Sequence, residues 1–306
     1  MTAARPPRLR VYWYSQTGQL TDAVDAFVAP LVEAGWEIRW SQVRPRTAFP
    51  FPWSLRRFVG LVPDAVHPES TVEVEVVGDD EPVDLVLFAF QVWYLAPSIP
   101  MRSVLAGPQR FAGQRVIGLT ACRNMWYSAA LAVSRRVTAR GARYLGTVAA
   151  IDDAPPLATF FTTMRWLLTG RRDPFWFFPR AGVGPAQLAR VRAVGEKLAA
   201  TARPGDADFD DRVVQALAAT DAAAVDPALA TADLLASRVF RAWVAVARAV
   251  RPGLPRNLVL AAFAAWLVPT AALGLPAVAV ARKAARRRFD AAVHRALAPA
   301  VAEVRR

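Results

Sequence analysis

The sequence predicts an α/β protein built on a doubly wound, five-stranded parallel sheet. Apolar stretches with the length of strands alternate with amphipathic stretches with the length of helices over the first 202 of the 306 residues. The predicted strand at 84–90 is continuously apolar, as expected of a strand that is covered by helices on both faces. Hydrophobic residues make up 54% of the chain and aromatic residues 10%, which allows a large core and excludes a wholly disordered chain.

The predicted elements follow a regular order. A strand at 9–14 precedes a helix at 21–34, and Gly35 ends this helix before a second strand at 36–43. The stretch 44–82 is rich in proline and is predicted to be irregular. The later predicted elements are strands at 84–90, 115–120 and 144–151, and helices near 100–105, 128–140 and 185–202.

The net charge of +13 is concentrated near the C-terminus. Residues 251–306 hold ten basic and two acidic side chains, which gives +8 of that total. Nearly all the basic residues are arginine, since Lys197 and Lys283 are the only lysines, and this indicates a compositional bias rather than nucleic-acid binding. We therefore expect a surface as partner and no nucleic acid.

The chain has one cysteine, Cys122. One cysteine excludes a disulfide within the chain and a cysteine-based metal site, and we predict no metal site. This cysteine content fits a reducing cytoplasm.

A polar loop joins the first predicted strand to the first predicted helix. Its residues are Ser15, Gln16, Thr17, Gly18, Gln19 and Leu20. Hydroxyl groups, a glycine and the N–H groups of a helix N-terminus form the kind of nest that binds a phosphate. We predict that this loop binds the phosphate of FMN, and an ordinary strand–helix turn with a capping residue is the alternative.

Two further loops follow the third and fourth predicted strands. They contain Gln91, Val92, Trp93 and Tyr94, and Ala121, Cys122, Arg123, Asn124 and Trp126. A ligand of a doubly wound sheet lies beyond the carboxyl ends of the central strands, so these residues are predicted to contact the flavin ring. Core packing is the alternative for Trp93 and Tyr94, and a surface ion pair for Arg123. A buried, inert thiol is favoured for Cys122.

Six motifs occur in a fixed order over roughly residues 11–182. They are Tyr14 to Leu20, Pro50-Phe51-Pro52-Trp53, Gln91-Val92-Trp93 with Pro97-Ser98-Ile99-Pro100, Cys122-Arg123-Asn124-Met125-Trp126, Arg165-Trp166 with Thr169-Gly170, and Phe178-Pro179 with Ala181-Gly182-Val183. With these motifs the sequence resembles bacterial flavodoxin-like proteins of the dialkylresorcinol condensing enzyme family. Leu20 departs from ordinary flavodoxins, many of which have threonine there.

The resemblance implies an FMN protein that acts in the synthesis of dialkylresorcinol lipids. Condensation would need a nucleophilic cysteine on a thiolase-type fold, and the sequence shows neither pattern. Flavin chemistry offers oxidation of a cyclohexanedione-type precursor to the aromatic ring, so we interpret the family as an aromatase. The resemblance also implies a lipid-like cyclic dione as substrate, and a ketosynthase and an acyl carrier protein as partners.

Aromatisation requires a base, and the candidates are Tyr94, His67 and Asp152. The alternative role of Tyr94 is ring stacking. His67 could instead be a solvated loop residue, and Asp152 could cap a turn. A flavodoxin-like electron carrier or quinone reductase at the membrane is the second functional hypothesis. A scaffold that has lost the flavin is the third.

The predicted domains are an FMN-binding domain at 1–202, a linker at 203–233 and a membrane-associating helical tail at 234–306. Within the tail, 234–250 is basic and amphipathic, and 258–281 has no charged residue. The apolar segment is long enough to span a bilayer, but one crossing would export its basic flank. We therefore expect a helix broken at Pro269 that enters and returns on the cytoplasmic face of the inner membrane, against anionic lipids. A buried apolar helix pair is the alternative.

Two aromatic segments, 49–53 and 175–178, lie outside the predicted elements. They could line a site for alkyl chains or cover the sheet. We favour the lining role, because loops carry function more often than strands do.

Overall fold

A computed structural model describes residues 5–109 and 111–302 of the chain. Its main sheet consists of β1 (Arg8–Trp13), β2 (Glu37–Pro45), β3 (Val74–Val77), β4 (Leu85–Phe90), β7 (Arg115–Cys122) and β8 (Arg143–Ile151). The strand order in this sheet is β3-β2-β1-β4-β7-β8. Two short strands, β5 (Val92–Trp93) and β6 (Ala96–Pro97), pair with each other outside it.

The predicted parallel, doubly wound arrangement is confirmed, because β2, β1, β4, β7 and β8 pair in parallel. The predicted number of five strands is wrong, because β3 adds an antiparallel edge strand beside β2. The prediction of an irregular stretch at 44–82 is wrong as well, since it holds β3 and two short helices, α2 (Leu55–Gly60) and α3 (Val62–Val66). β3 overlaps the segment Val72-Glu73-Val74-Glu75-Val76, whose half-buried valines alternate with exposed glutamates as in an edge strand.

Helices cover both faces of the sheet. Leu85 and Leu87 of β4 pack into one core, whereas Phe88 and Phe90 pack into the other, because successive strand residues point to opposite faces. The first face is covered by α1 (Gln19–Glu33), α7 (Pro185–Thr201) and α8 (Phe209–Ala219). The second is covered by α4 (Ile99–Ala106) and α5 (Tyr127–Ala139).

The C-terminal helices pack against the same body. They are α9 (Pro227–Ala249), α10 (Leu254–Ala284) and α11 (Arg286–Leu297). Ala230 of α9 and Leu297 of α11 enter the second core, and Phe240 of α9 packs with Val62 of α3 and Phe263 of α10. The predicted linker at 203–233 contains α8 and the first turns of α9. The division into a domain, a linker and a tail stays a prediction.

The predicted break at Pro269 is wrong, because α10 runs without interruption from Leu254 to Ala284. A proline removes one N–H donor and crowds the preceding turn, but neighbouring helical hydrogen bonds can carry the helix past it. None of the helices in the described ranges is long and apolar enough to cross a membrane.

Candidate functional site

The three predicted loops start side by side at one edge of the sheet. Trp13, the last residue of β1, is paired with Ala89, near the end of β4, and β7 continues on the far side of β4. The strand order reverses between β1 and β4, which is where doubly wound proteins bind their ligands. The Gln16 N–H donates to Oε1 of buried Gln91 at 3.4 Å, so the first two loops are in direct contact.

The N-terminus of α1 is open. Gly18 occupies the N-cap position with a left-handed φ of 82°, and no side chain in the described ranges caps this helix. In the same loop, Ser15 Oγ is buried and has no hydrogen-bond partner in those ranges. Thr17 is half-buried beside it. A buried hydroxyl that lacks a partner, in the loop before an uncapped helix N-terminus, fits an anion such as a phosphate.

Two side chains of the predicted phosphate loop are engaged elsewhere. Gln19 Oε1 accepts a hydrogen bond from the Val183 N–H at 2.9 Å. Leu20 is fully buried in the core beneath α1. Leu20 can therefore offer a ligand only its backbone N–H, whereas Gln19 keeps its side-chain NH₂ group as well. Core packing explains why position 20 is leucine.

The loop after β4 is fixed by aromatic packing. Trp93 is buried, and its ring makes edge contacts with Tyr14 and Trp53 at centroid distances of 6.2 and 5.4 Å. The Tyr94 hydroxyl donates to Phe58 O at 2.5 Å, and burial raises the pKa of this phenol. A phenol that holds its proton this tightly is a poor general base.

The loop after β7 places a cation next to an inert thiol. Cys122 is buried, which raises the pKa of its thiol to about 12 and leaves it unreactive at neutral pH. Arg123 donates to Pro156 O at 3.3 Å and lies 5.6 Å from the ring centroid of Phe160, both on α6 (Pro156–Thr169). Burial lowers the pKa of Arg123. Its guanidinium keeps donors for a further acceptor, because one contact is a carbonyl and another is the weak acceptor Met125 Sδ at 3.8 Å.

Several buried polar atoms along this edge have no hydrogen-bond partner in the described part of the chain. They are Ser15 Oγ, Ser98 Oγ, Thr120 Oγ1, Asn124 Oδ1 and Trp126 Nε1. All belong to the carboxyl ends of β1, β4 and β7 or to the loops that follow. Native proteins leave few buried polar groups unpaired. Ser98, Thr120 and Trp126 are fully buried by the protein itself, whereas Ser15 is half-buried, so Ser15 Oγ is the group of this set that a ligand would reach most directly. The predicted ring residues Val92 and Ala121 pack against the two cores instead.

Of the two remaining base candidates, Asp152 lies beside the predicted ring loops and His67 lines a groove against Arg241 of α9. The Asp152 carboxylate accepts the Gly182 N–H at 2.9 Å, and the Asp152 N–H donates to Cys122 O at 3.0 Å. Burial raises the pKa of Asp152, although the Gly182 hydrogen bond acts in the opposite direction. Asp152 therefore ties the end of β8 to the third loop and has an increased affinity for a proton.

Arg172 is a candidate residue that the sequence did not reveal. Its guanidinium lies 4.4 Å from the ring centroid of Trp166. A Cβ atom placed on Gly182 would lie 2.3 Å from Gln19 Oε1 and 3.0 Å from Arg172 Nη2. The Arg172 guanidinium therefore lies close to the side chain of Gln19, in the first turn of α1. Burial lowers the pKa of Arg172, as does Arg180. No local pattern marks Arg172, because it approaches α1 from a loop more than one hundred residues later.

Asp233 is a second such residue. Its carboxylate accepts the N–H groups of Tyr127 and Ser128 at 3.1 Å each, as well as the Ser128 hydroxyl. A side chain of α9 thus caps the N-terminus of α5, directly after the third loop. Burial raises the pKa of Asp233 to about 7, against the hydrogen bonds from Ser128 and Tyr127, which lower it.

No model of a known protein family matches the chain, and no curated protein sequence matches it either. Similar solved structures include a flavoprotein from Lactobacillus acidophilus NCFM in complex with FMN, with 15% sequence identity and a TM-score of 0.39. The similarity covers 47% of this chain and 93% of that one. Another is a Bacteroides uniformis ATCC 8492 protein described as a flavoprotein, with 13% identity, a TM-score of 0.38, and coverage of 48% of this chain and 94% of that one.

Proposed function

We propose that this chain binds FMN at the carboxyl edge of its sheet and acts as an FMN-dependent oxidoreductase. The observation that carries the proposal is the unpaired hydroxyl of Ser15 in the loop before the uncapped N-terminus of α1, where the loops after β1 and β4 are in contact. The polar groups of the three loops complement the two ends of FMN. Hydroxyl and helix N–H groups suit its phosphate, whereas amide and guanidinium groups suit the polar edge of its ring.

At the phosphate end, Ser15 and Thr17 would donate their hydroxyls and the first turn of α1 its backbone N–H groups. Gly18 leaves this approach open, because nothing lies within 4 Å of the place where its Cβ would be. Arg172 would add positive charge from the opposite loop. A charge-assisted hydrogen bond contributes roughly 1.5–3 kcal/mol, so these groups make the phosphate a main determinant of affinity.

At the ring end, Gln91 and Asn124 would fix the orientation of the flavin, and Arg123 would stabilise negative charge on it. The predicted ring residue Trp126 is fully buried in the second core and stacks on Tyr127 instead. When bound, FMN supplies a two-electron acceptor for a hydride from the substrate. Trp93 is packed among Tyr14 and Trp53. Its role is to hold the loop in shape.

The proposed substrate is a lipid-like cyclic dione, which is oxidised to a dialkylresorcinol. Support comes from the resemblance of the ordered motifs to the dialkylresorcinol family and from the aromatic segment 49–53, which packs against the loop after β4 through Phe49 and Trp93 at 5.0 Å. Aromatisation removes one hydrogen as hydride and one as a proton. Asp152 stands beside the ring loops with a raised pKa and would hold that proton. A ketosynthase and an acyl carrier protein would supply such a substrate.

We also propose that the C-terminal helices contact the cytoplasmic face of the inner membrane. Leu254, Leu258 and Leu273 of α10 are 72%, 61% and 73% exposed. Basic residues stand at both ends of this helix, at Arg251 and Arg286 among others. Exposed apolar side chains flanked by arginine suit an anionic lipid surface.

The decisive experiment compares the binding of FMN and riboflavin, which differ by the phosphate. Replacing both Ser15 and Thr17 with alanine should weaken FMN binding at least about tenfold, because two donors to a charged group are lost. Riboflavin affinity should not change. Quenching of flavin fluorescence on titration measures both. Equal effects on the two ligands would show that the phosphate is bound elsewhere.

The matched control is Ser54→Ala. Ser54 is another hydroxyl residue at a helix N-terminus, but it caps α2, where it accepts the Arg57 N–H at 3.3 Å. Its loss should leave FMN affinity unchanged. Turnover of a cyclic dione by the FMN-loaded protein alone would support the aromatase, whereas turnover that requires a partner protein would favour an electron carrier or quinone reductase. A purified protein that binds neither flavin would refute the proposal.

A further inference from the structure

The segment between α6 and α7 contains a tight aromatic hairpin, formed by residues 175–178. Phe175 and Phe178 exchange two backbone hydrogen bonds, with N···O distances of 3.2 and 2.9 Å. Trp176 and Phe177 form the tip and are 90% and 82% exposed, and Trp176 has a left-handed φ of 51°. The hairpin therefore presents two large aromatic side chains to water in a defined conformation.

The base of the hairpin is held rigidly. The Arg165 guanidinium lies 4.6 Å from the ring centroid of Phe175, and it donates to Asp173 O at 2.7 Å and to Asp173 Oδ2 at 2.8 Å. On the other strand, Phe178 packs against Phe161 of α6 at 5.6 Å. The exposure of the tip is thus built into the fold, since both of its neighbours in sequence are anchored.

The apolar surface continues from the tip onto α6. Phe161 is 44% exposed and Leu157 is 63% exposed, and these two residues share one helix face, four positions apart. The surface then runs from Leu157 through Phe161 and the hairpin to Trp176. A surface of this composition is costly to leave in water.

Positive charge surrounds this surface. Residues 165–180 contain Arg165, Arg171, Arg172, Asp173 and Arg180, a net charge of +3. The one acidic residue in this range, Asp173, is paired with Arg165. Arg171 and Arg180, one on each side of the hairpin, are exposed.

We propose that the hairpin inserts its tip into the interfacial layer of an anionic lipid bilayer. Tryptophan and phenylalanine are well suited to the boundary between headgroups and hydrocarbon, and the flanking arginines would pair with lipid phosphates. A protein partner fits less well, because a stable protein interface takes about 20–30 residues from each side, and this surface has four exposed apolar side chains, those of Leu157, Phe161, Trp176 and Phe177. The contact is separate from the proposed contact of α10, and the arginines that would pair with lipid, Arg171 and Arg180, are not among the residues assigned to FMN.

Flotation of the full-length protein with vesicles tests the proposal. The vesicles are phosphatidylcholine with and without phosphatidylglycerol. Replacing Trp176 and Phe177 together with serine should lower the partition coefficient at least about tenfold, because two large apolar side chains no longer leave water. Replacing Arg171 and Arg180 with glutamine should weaken binding to the anionic vesicles by about fivefold per arginine and leave binding to the neutral vesicles unchanged.

Two controls separate the hairpin from other surfaces. Trp40 is 43% exposed on β2, away from the hairpin, so Trp40→Ser should leave flotation unchanged. Replacing Leu254 and Leu258 with serine probes the proposed α10 contact independently. Unaltered circular dichroism and FMN affinity of the hairpin variant would show that its fold and flavin site are intact.

Insertion depth gives a second measurement. Vesicles of brominated lipid should quench part of the tryptophan fluorescence, and Trp176→Phe should keep most of the binding but lose that quenched fraction. Full flotation of the Trp176→Ser, Phe177→Ser protein would overturn the proposal. So would a concentration-dependent dimer of the wild type in sedimentation velocity that this double variant abolishes, because the tip would then bind a second copy of the chain.

Discussion

Two aromatic segments of similar composition have opposite environments. In the segment 49–53, Trp53 is 4% exposed, and Phe51 packs against Trp166 of α6 at a centroid distance of 6.2 Å. In the hairpin 175–178, Trp176 is 90% exposed. Both segments are rich in phenylalanine and contain one tryptophan, so composition alone does not decide which of them is buried.

The difference comes from what covers each segment. The backbone N–H of Trp53 donates to Leu167 O at 2.8 Å, which ties the segment 49–53 to α6. The Trp53 ring packs against Trp93 of the loop after β4. The hairpin instead closes on itself through Phe175 and Phe178. Aromatic residues are buried where other secondary-structure elements pack on them. A segment whose backbone groups are hydrogen-bonded within the segment can instead expose them to a partner.

Trp53→Ala should produce the largest effect of the changes that test this comparison. Removing a buried tryptophan leaves a cavity, and the expected loss is about 3–5 kcal/mol in the free energy of unfolding. Urea denaturation followed by circular dichroism measures it. A loss below about 1 kcal/mol would show that the two segments are equally peripheral.

The pH dependence of the free energy of unfolding should reflect the titration of Asp233, whose carboxylate joins α9 to the N-terminus of α5. Because burial raises the pKa of Asp233 to about 7, the folded protein keeps a proton that the unfolded chain releases near its ordinary pKa. The free energy of unfolding should therefore decrease by up to about 4 kcal/mol as the pH rises from about 4 to about 7, and the decrease should end above that range.

The comparison variant for this pH dependence is Asp233→Asn, which does not titrate. Denaturation at several pH values should show a flatter slope for the variant than for the wild type. Identical slopes would mean that Asp233 is ionised throughout this pH range. The two backbone hydrogen bonds between Phe175 and Phe178 should persist in either case, because they contain no titrating group.

Arg172→Gln tests whether the loop that carries the hairpin also serves the flavin site. We expect FMN affinity to fall about tenfold, in line with the loss of one charge-assisted contact, while riboflavin affinity stays the same. Arg171→Gln is the matched control. Arg171 is the exposed neighbour of Arg172 and has the same charge, but it does not take part in the contact with Gly182 and Gln19. Similar losses in both variants would indicate a general electrostatic effect.

Trp176→Ala should have the smallest effect on stability. An exposed side chain with few contacts contributes little to folding, so the free energy of unfolding should change by less than about 0.5 kcal/mol. The same urea titration as for Trp53→Ala provides the measurement. A loss of several kcal/mol would mean that the tip packs against the protein in solution.

Local periodicity was enough to predict the parallel strands and α1. β4 is apolar at every position because both faces are covered, and a continuous apolar run is visible in the sequence. β3 was missed although residues 72–76 alternate valine and glutamate, because this short strand pattern lies in a stretch rich in proline. The helix break predicted at Pro269 is absent, because the low helix propensity of one proline is outweighed by the helical residues on both sides of it.

The candidate site was predictable in position but less so in detail. The loop after β1 could be recognised from Ser15 to Gly18, because hydroxyls and glycine before a helix form a recurrent local pattern. The sequence could not show that the Gln19 side chain turns toward Val183. Arg172 and Asp233 act across long separations in sequence, and only the fold brings them to α1 and α5.

The capping of α5 by Asp233 limits how far this protein could be trimmed into a minimal flavin-binding module. A chain ending at residue 202 would lose the acceptor for the N–H groups of Tyr127 and Ser128. It would also lose Ala300 O, which accepts the hydroxyl of Thr147 in β8 at 2.6 Å. Protein engineers who seek such a module would have to supply a new acceptor for the first turn of α5.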